Sequence, residues 1–237
     1  MRPFQITTEL SVTSTIQVAE LICRYPEIMR ELFSDNSFRQ WLTGLNAELG
    51  ESAIQVFSRE DDPQLGLFKA SYILAPGHPL IFMGEEYRDL KDLGAKILLS
   101  APVPPQAPLW FLTSGALMHY VEIIRLSERQ PELYVQIKAL TALAATEPQI
   151  ILFRLGYLLS GDTRFHFQGA AYPTITDFFL ARGGDNQLMS NFDFLTAPYS
   201  IAYHQAVGSG RNLTRAQALA QADRNAQKRL DAFLNHR

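Results

Sequence analysis

The stretch DPQLGLFKASYILAPGHPLIFMGEEYRDLKDL, residues 62–93, decides the fold, because the chain repeats it 85 residues later. Residues 147–178, EPQIILFRLGYLLSGDTRFHFQGAAYPTITDF, align with it without a gap, and ten positions are identical. The matched glycines are Gly84 and Gly169. Self-similarity at a fixed offset is typical of repeat architectures. The chain is therefore predicted to contain two copies of one unit.

The offset predicts the domain organisation. Residues 1–61 form an N-terminal helical segment, interpreted as a partial unit, followed by unit 62–146 and unit 147–237 with a C-terminal helix. A unit that cannot bury its apolar face alone needs its neighbour, so we expect one continuous core. The register of the second half stays open, because FLT at 111–113 matches FLT at 194–196 only with a shift of two residues.

Each copy has the pattern of a helix followed by a small hairpin. An acid and a proline open the helix, since a proline costs nothing in the first turn. Short apolar strands follow at residues 80–83 and 165–168, each ended by a glycine turn. The remaining residues have helical periodicity, including 37–58 and 116–128. The fold class is therefore mostly α, or α+β with small β-hairpins, in a helical repeat-like protein.

Composition limits the function classes. Of the 237 residues 47% are hydrophobic and 19% charged, which favours a globular protein with many uncharged surface residues. The single cysteine, Cys23, excludes an intramolecular disulfide and is interpreted as a small buried side chain. No apolar leader or membrane span is indicated, because prolines interrupt the uncharged residues 97–121. We therefore expect a cytoplasmic protein without a transmembrane segment.

Charge is uneven along the chain. Residues 1–61 carry 5 basic and 9 acidic residues, whereas residues 211–237 carry 6 basic and 2 acidic ones. A basic C-terminal helix could bind nucleic acid or an anionic membrane, but most such runs are solvated helix faces. Nucleic-acid or membrane-surface binding is kept as a third hypothesis.

The histidines are the first candidates for chemistry. His119 and His204 match at the offset of 85, which would suit residues of a cleft between the two units. A duplicated helix that keeps a histidine for packing explains them as well. No metal-ligand spacing accompanies them, and the glycine-rich stretch 207–214 lacks the ending of a phosphate-binding loop. We expect no cofactor, no metal and no catalytic residue.

The two hairpins differ on the face predicted to point outward. The second alternates, with His166 and Gln168 facing water, whereas the first has Ile81 and Met83 at the matching positions. We therefore expect the first hairpin to be covered. Two alternatives remain for this cover. Either the N-terminal residues 2–10 pack on the hairpin as a third strand or a lid, or another chain does.

These patterns favour a non-enzymatic protein that acts through protein–protein interaction, as an adaptor, regulator or assembly component, with a protein partner or as a homo-oligomer. Its candidate surface is Ile81 and Met83 with the acids Glu85 and Glu86, which are alanines in the second copy. The alternative from another class is a small-molecule-binding protein or enzyme that uses a cleft near His119 and His204.

Overall fold

The chain folds into helices joined by short hairpins. The computed structural model describes residues 2–173, 177–178 and 181. Within these residues there are eleven α-helices and three two-stranded antiparallel hairpins. The predicted fold class, mostly helical with small hairpins, is confirmed, whereas the repeat as a whole stays a prediction.

The elements follow one another in chain order. The helices are α1 (Thr15–Arg24), α2 (Pro26–Ser34), α3 (Asn36–Leu45), α4 (Ala47–Arg59), α5 (Pro63–Leu74), α6 (Leu90–Ser100), α7 (Gln106–Thr113), α8 (Ala116–Ile123), α9 (Leu126–Arg129), α10 (Pro131–Leu143) and α11 (Pro148–Ser160). The strands are β1 (Phe4–Gln5), β2 (Ser11–Val12), β3 (Leu80–Phe82), β4 (Glu85–Tyr87), β5 (Phe165–Phe167) and β6 (Ala170–Tyr172).

Two predicted helices are interrupted. Asn46 divides the helix predicted over 37–58, because its backbone is extended and its side chain accepts a hydrogen bond from the Leu49 N–H at 3.0 Å, which caps α4. Arg125 divides the helix predicted over 116–128, since its φ of 52° is left-handed and cannot continue a right-handed helix.

The chain separates into two compact units. Unit 1 contains Met1–Asp89 and Leu109–Ala142, and unit 2 contains Leu90–Pro108 and the chain from Leu143 onward. These boundaries do not coincide with the predicted repeat boundaries, because helix α6, assigned to the first repeat, belongs to unit 2. The predicted division at residues 62 and 147 stays a prediction.

Unit 1 is built around helix α5. Helices α1 and α4 pack on it, and its residues Leu67 and Leu74 are almost completely buried. Helices α2 and α3 add Phe33 and Phe38, both with no exposed surface. Helix α5 has apolar residues all round, as expected for a helix with neighbours on several sides.

The hairpin formed by strands β1 and β2 lies on helix α3. Strand β1 pairs with β2, and the ring of Phe4 contacts Phe38 and Trp41 at centroid distances of 5.2 and 5.5 Å. Residues 2–10 were expected to add a third strand to hairpin β3–β4. That expectation is wrong, because β3 pairs with β4 alone and each of the three sheets among the described residues has two strands.

Unit 2 contains a close helix pair. Helices α6 and α11 approach so closely that a Cβ atom placed on Gly94 would lie 2.5 Å from the Ser160 nitrogen and 2.8 Å from the Gly156 oxygen. A side chain at position 94 would therefore collide with the backbone of α11.

Hairpin β5–β6 packs beside α6, and the Gln168 N–H donates a hydrogen bond of 2.6 Å to the Ala101 carbonyl.

The β3–β4 and β5–β6 hairpins turn in the same way. Met83 and Gly84 have φ values of 51° and 78°, and Gln168 and Gly169 have 47° and 76°. Positive φ at both central residues defines the type I′ turn, which matches the twist of the strands. The predicted strands 80–83 and 165–168 were therefore one residue too long, since Met83 and Gln168 belong to the turns.

Candidate functional site

Ile81 is covered within its own unit. Its side chain is 8% exposed, and strand β3 packs against helix α1. Helix α1 therefore covers Ile81, whereas the predicted internal cover was residues 2–10. Ile81 belongs to the floor of a surface feature and is not itself a free contact residue.

That feature is a shallow apolar groove in unit 1. It lies where the end of α1, the start of α2, one face of α5, strand β3 and α7 meet. Its lining residues are mostly apolar or aromatic: Ile22, Cys23, Pro26, Gln64, Leu67, Phe68, Ile81, Phe82, Met83 and Trp110. We call this set the unit 1 groove.

Stacked aromatic rings fix the hairpin side of the groove. The ring of Phe82 stacks between those of Tyr87 and Phe111, with centroid distances of 4.8 and 4.3 Å. Trp110 lies edge-on to Phe68 at 6.1 Å. Its indole N–H donates a hydrogen bond of 3.3 Å to Oδ2 of Asp62, whose Oδ1 caps helix α5. The groove wall is therefore preformed.

The groove is too small for a cofactor. Its cavity volume is about 20 Å³, enough for about one water molecule. Sites for small molecules usually measure several hundred Å³. The groove has the dimensions of a contact for the end of one side chain.

The tip of the hairpin borders the groove. Met83 is half-buried, and Glu85 and Glu86 are exposed. Glu86 is the cross-strand partner of Ile81, which places the two residues on the same face of the hairpin. Two exposed large side chains, Tyr25 and Ile28, lie within two residues of Pro26 in the sequence. Ile81 and Met83 thus line the groove, and the interaction surface itself stays a prediction.

Cys23 in the groove is not a nucleophile. It is buried in α1, as predicted, and burial raises the pKa of its thiol to about 12. The thiol therefore stays protonated at neutral pH, and a protonated thiol is unreactive. Cys23 serves as a small apolar packing residue.

His119 lies on α8 in unit 1, half-buried against Phe68 with 6.4 Å between ring centroids. Burial, and after it the charge of Lys69, lowers the pKa of His119, so the imidazole is neutral at physiological pH. Lys69 itself is paired with Glu60 at 2.6 Å. The His119 Nε2 atom is buried and forms no hydrogen bond with the described residues. His204, its predicted counterpart, lies outside the described residues, and the cleft stays a hypothesis.

His166 of hairpin β5–β6 was predicted to face water, but it is buried. This side chain is 6% exposed, and its Nε2 lies 3.0 Å from Oδ2 of Asp162. Arg164 reaches the same oxygen at 2.6 Å, and its backbone N–H donates to Oδ1 at 2.9 Å. The carboxylate four residues earlier pairs with the Nε2 atom of the buried ring, whereas its Nδ1 atom is buried without a hydrogen-bond partner among the described residues. Gln168 is exposed, as expected.

Burial alone would raise the pKa of Asp162. The hydrogen bonds from the Arg164 side chain and backbone, and then from His166, outweigh burial and hold this pKa well below its usual range. The first hairpin has Gly77, Pro79 and Ile81 at the matching positions. The two hairpins thus differ in how the same face is covered: one by apolar packing, the other by an ion-pair cluster.

Asp162→Asn is expected to lower the free energy of unfolding at pH 7 by about 2 kcal/mol, since it removes charged hydrogen bonds to two partners. An acid with a lowered folded-state pKa stabilises the fold above its unfolded pKa of about 4 and loses this contribution as pH falls. The difference from wild type should therefore shrink below about pH 4. Urea unfolding of wild type and Asp162→Asn at pH 7 and in acid measures this difference in the free energy of unfolding. A difference that stays constant with pH would contradict the stabilising role of the ionised Asp162.

The part of the chain that the structure describes contains no metal cluster and no membrane-spanning helix. Among residues 2–173, 177–178 and 181, no group of three or more His, Cys, Asp or Glu side chains could hold a metal ion. In the same part of the chain no helix has the length and apolar character to cross a bilayer. The glycine-rich stretch 207–214 and the basic segment 211–237 lie outside the described residues.

Comparison of the chain with protein-family models, with curated proteins and with solved structures finds no match.

Sequence reasoning missed part of this groove. Trp110 lies in the proline-interrupted, charge-free stretch 97–121, in which no contact residue was predicted. Pro26 has the pattern of a proline in the first turn of a helix and carries no sign of a contact surface. An uncharged stretch that contains a tryptophan beside prolines was the one local signal, since tryptophan is enriched in protein interfaces.

Proposed function

We propose that this protein is a non-enzymatic interaction protein, an adaptor or assembly component, whose unit 1 groove docks a protein partner. The supporting observation is a preformed, aromatic-walled groove too small for a cofactor and bordered by an adaptable methionine. We also propose a cytoplasmic location, since the single cysteine of the chain allows no intramolecular disulfide.

The position of Met83 favours this proposal. A left-handed backbone disfavours methionine by about 1 kcal/mol relative to glycine, asparagine or aspartate. Type I′ turns prefer Asn-Gly for this reason. Met83 nevertheless occupies the first turn position with φ 51°, and it lies at the edge of the groove. Gln168 has the same left-handed backbone in the second hairpin, so the feature that distinguishes Met83 is its apolar, adaptable side chain at the edge of the groove.

Met83→Asn tests the proposal without harming the fold. Asparagine suits the turn, so thermal unfolding should show a stability equal to or above that of wild type. The variant should lose at least roughly 90% of the partner captured from a host lysate by the wild-type chain, because the thioether contact is removed.

Gln168→Asn is the matched control. It makes the same change at the same turn position of the second hairpin, and Gln168 is exposed. This variant should capture the partner as wild type does. Equal capture by Met83→Asn and wild type, or loss of capture in both variants, would contradict docking at the groove.

A further inference from the structure

Helix α11 of unit 2 has one narrow half-buried stripe, with an arginine in its middle. Of residues 150–159 only Ile150, Arg154 and Leu158, spaced one turn apart, are half-buried, and the others are buried. The Nε atom of Arg154 is buried and has no hydrogen-bond partner among the described residues. None of the ion pairs in that part of the chain involves Arg154. A half-buried cation of this kind points to a bound group that completes its hydrogen bonds.

The comparison of the two copies shows which group is missing. Arg154 matches Lys69 at the offset of 85, and the Lys69 Nζ atom lies 2.6 Å from Oε1 of Glu60. At the same offset, Ala145 stands at the position that matches Glu60. The cation is therefore kept in both copies, whereas its carboxylate is present only in the first.

Packing of the side-chain stem alone does not explain Arg154. A long cationic side chain often lays its stem on apolar surface and keeps its charged end in water. The Nε atom, however, is part of the charged guanidinium, and it is buried. Its own helix supplies no acid, because the positions three and four residues away are Ile150, Ile151, Tyr157 and Leu158. The guanidinium therefore needs an acceptor that does not come from α11.

We infer that Arg154 binds the carboxylate of a small monocarboxylic acid with a short apolar chain. The carboxylate takes the role that Glu60 has beside Lys69, and it accepts hydrogen bonds from the Nε–H and one Nη–H group of the planar guanidinium. Ile150 and Leu158, on either side of Arg154, offer apolar contact to the chain of the acid. They offer no hydrogen bond to a second charged group, which disfavours a dicarboxylate.

The test is nitrogen–proton correlation NMR of the arginine Nε–H groups in the full chain, titrated with butyrate at constant ionic strength. The signal absent from Arg154→Lys assigns Arg154. Arg164, whose Nε already donates to Asp162 at 3.1 Å, is the internal reference. We expect the Arg154 signal to shift with half-saturation at roughly 10 mM butyrate, while the Arg164 signal stays unchanged. Butyramide, the neutral analogue, should cause no shift, and succinate should bind at least about threefold more weakly.

Ala145→Glu is the variant that separates this site from a non-specific effect, because it restores an acid at the position of Glu60. It should shift the Arg154 signal without ligand and weaken butyrate binding at least about threefold. Gln149→Glu adds the same charge at an exposed position of α11 and should leave the affinity within about twofold. An Arg154 signal that does not move at roughly 100 mM butyrate, that moves equally with butyramide, or that is unaffected by Ala145→Glu would overturn the inference.

Discussion

Ile81→Asp is expected to lower the free energy of unfolding by about 4 kcal/mol, one of the largest effects of a single change in this chain. Ile81 is 8% exposed on the floor of the groove beside helix α1, where the new carboxylate would find mainly apolar neighbours such as Ile22 and Leu67 and no cation among the lining residues. An unpaired buried charge is among the costliest changes in a protein interior.

The pH dependence of this variant identifies the cause. Burial would raise the folded-state pKa of the introduced carboxyl above its unfolded value. The penalty should therefore be complete at neutral pH and shrink as pH falls, because protonation removes the charge. Ile81→Ala, which creates only a cavity, should lose about 3 kcal/mol with no such dependence. If Ile81→Asp were as stable as wild type, the assignment of Ile81 to the buried floor would be wrong.

Gly94→Ala is expected to lower the free energy of unfolding of unit 2 by about 2 kcal/mol, although alanine is the better helix former. The added methyl would meet backbone atoms of α11, the Ser160 nitrogen at 2.5 Å and the Gly156 oxygen at 2.8 Å. Backbone atoms of a packed helix cannot move aside locally, so the helices must separate.

Gly156→Ala is the matched control in the same helix pair. Its methyl would meet side-chain atoms rather than backbone: Leu98 Cδ2 at 3.0 Å, a side-chain end that can move, and Ile97 Cγ2 at 2.9 Å, a branch methyl that must shift with its helix. The gain in helix propensity partly offsets this rearrangement. Urea unfolding should therefore place Gly156→Ala within about 1 kcal/mol of wild type. Equal losses in both variants would contradict the backbone contact at Gly94.

The local pattern of the hairpins was readable from the sequence, but its exact limits were not. Gly84 and Gly169 predicted the turns, because a positive φ favours glycine. Alternation could not show that Met83 and Gln168 belong to the turns as well. A residue with φ near 50° that is neither glycine nor asparagine breaks the local rule, and only its surroundings keep it there.

The burial of His166 was missed because exposure was assigned from one strand alone. A histidine at an outward position normally faces water. Asp162, four residues earlier in the connecting loop, supplies a buried partner, and Arg164 holds that partner in place. The spacing Asp-x-Arg-x-His was present in the sequence and could have indicated the cluster.

The groove could not be predicted from the sequence, because it is formed by elements that lie far apart in the chain. Its walls come from α1, α5, β3 and α7, and Gln64 and Trp110 are far apart in the chain. Periodicity predicts which side of a helix is apolar but not which distant helix covers it. Ile81 and Met83 were found from the difference between the copies, whereas Trp110 had no counterpart pattern to mark it.

The most direct test of docking at the unit 1 groove is methyl NMR of the five methionines during titration with a peptide selected for binding to the full chain from a displayed library of random sequences. The signal that disappears in Met83→Asn assigns Met83, and the fully buried Met29 serves as an internal reference. We expect the chemical shift of the Met83 methyl group to change until the protein is saturated with peptide, while that of Met29 stays unchanged. A Met83 signal that does not move at saturating peptide would contradict it.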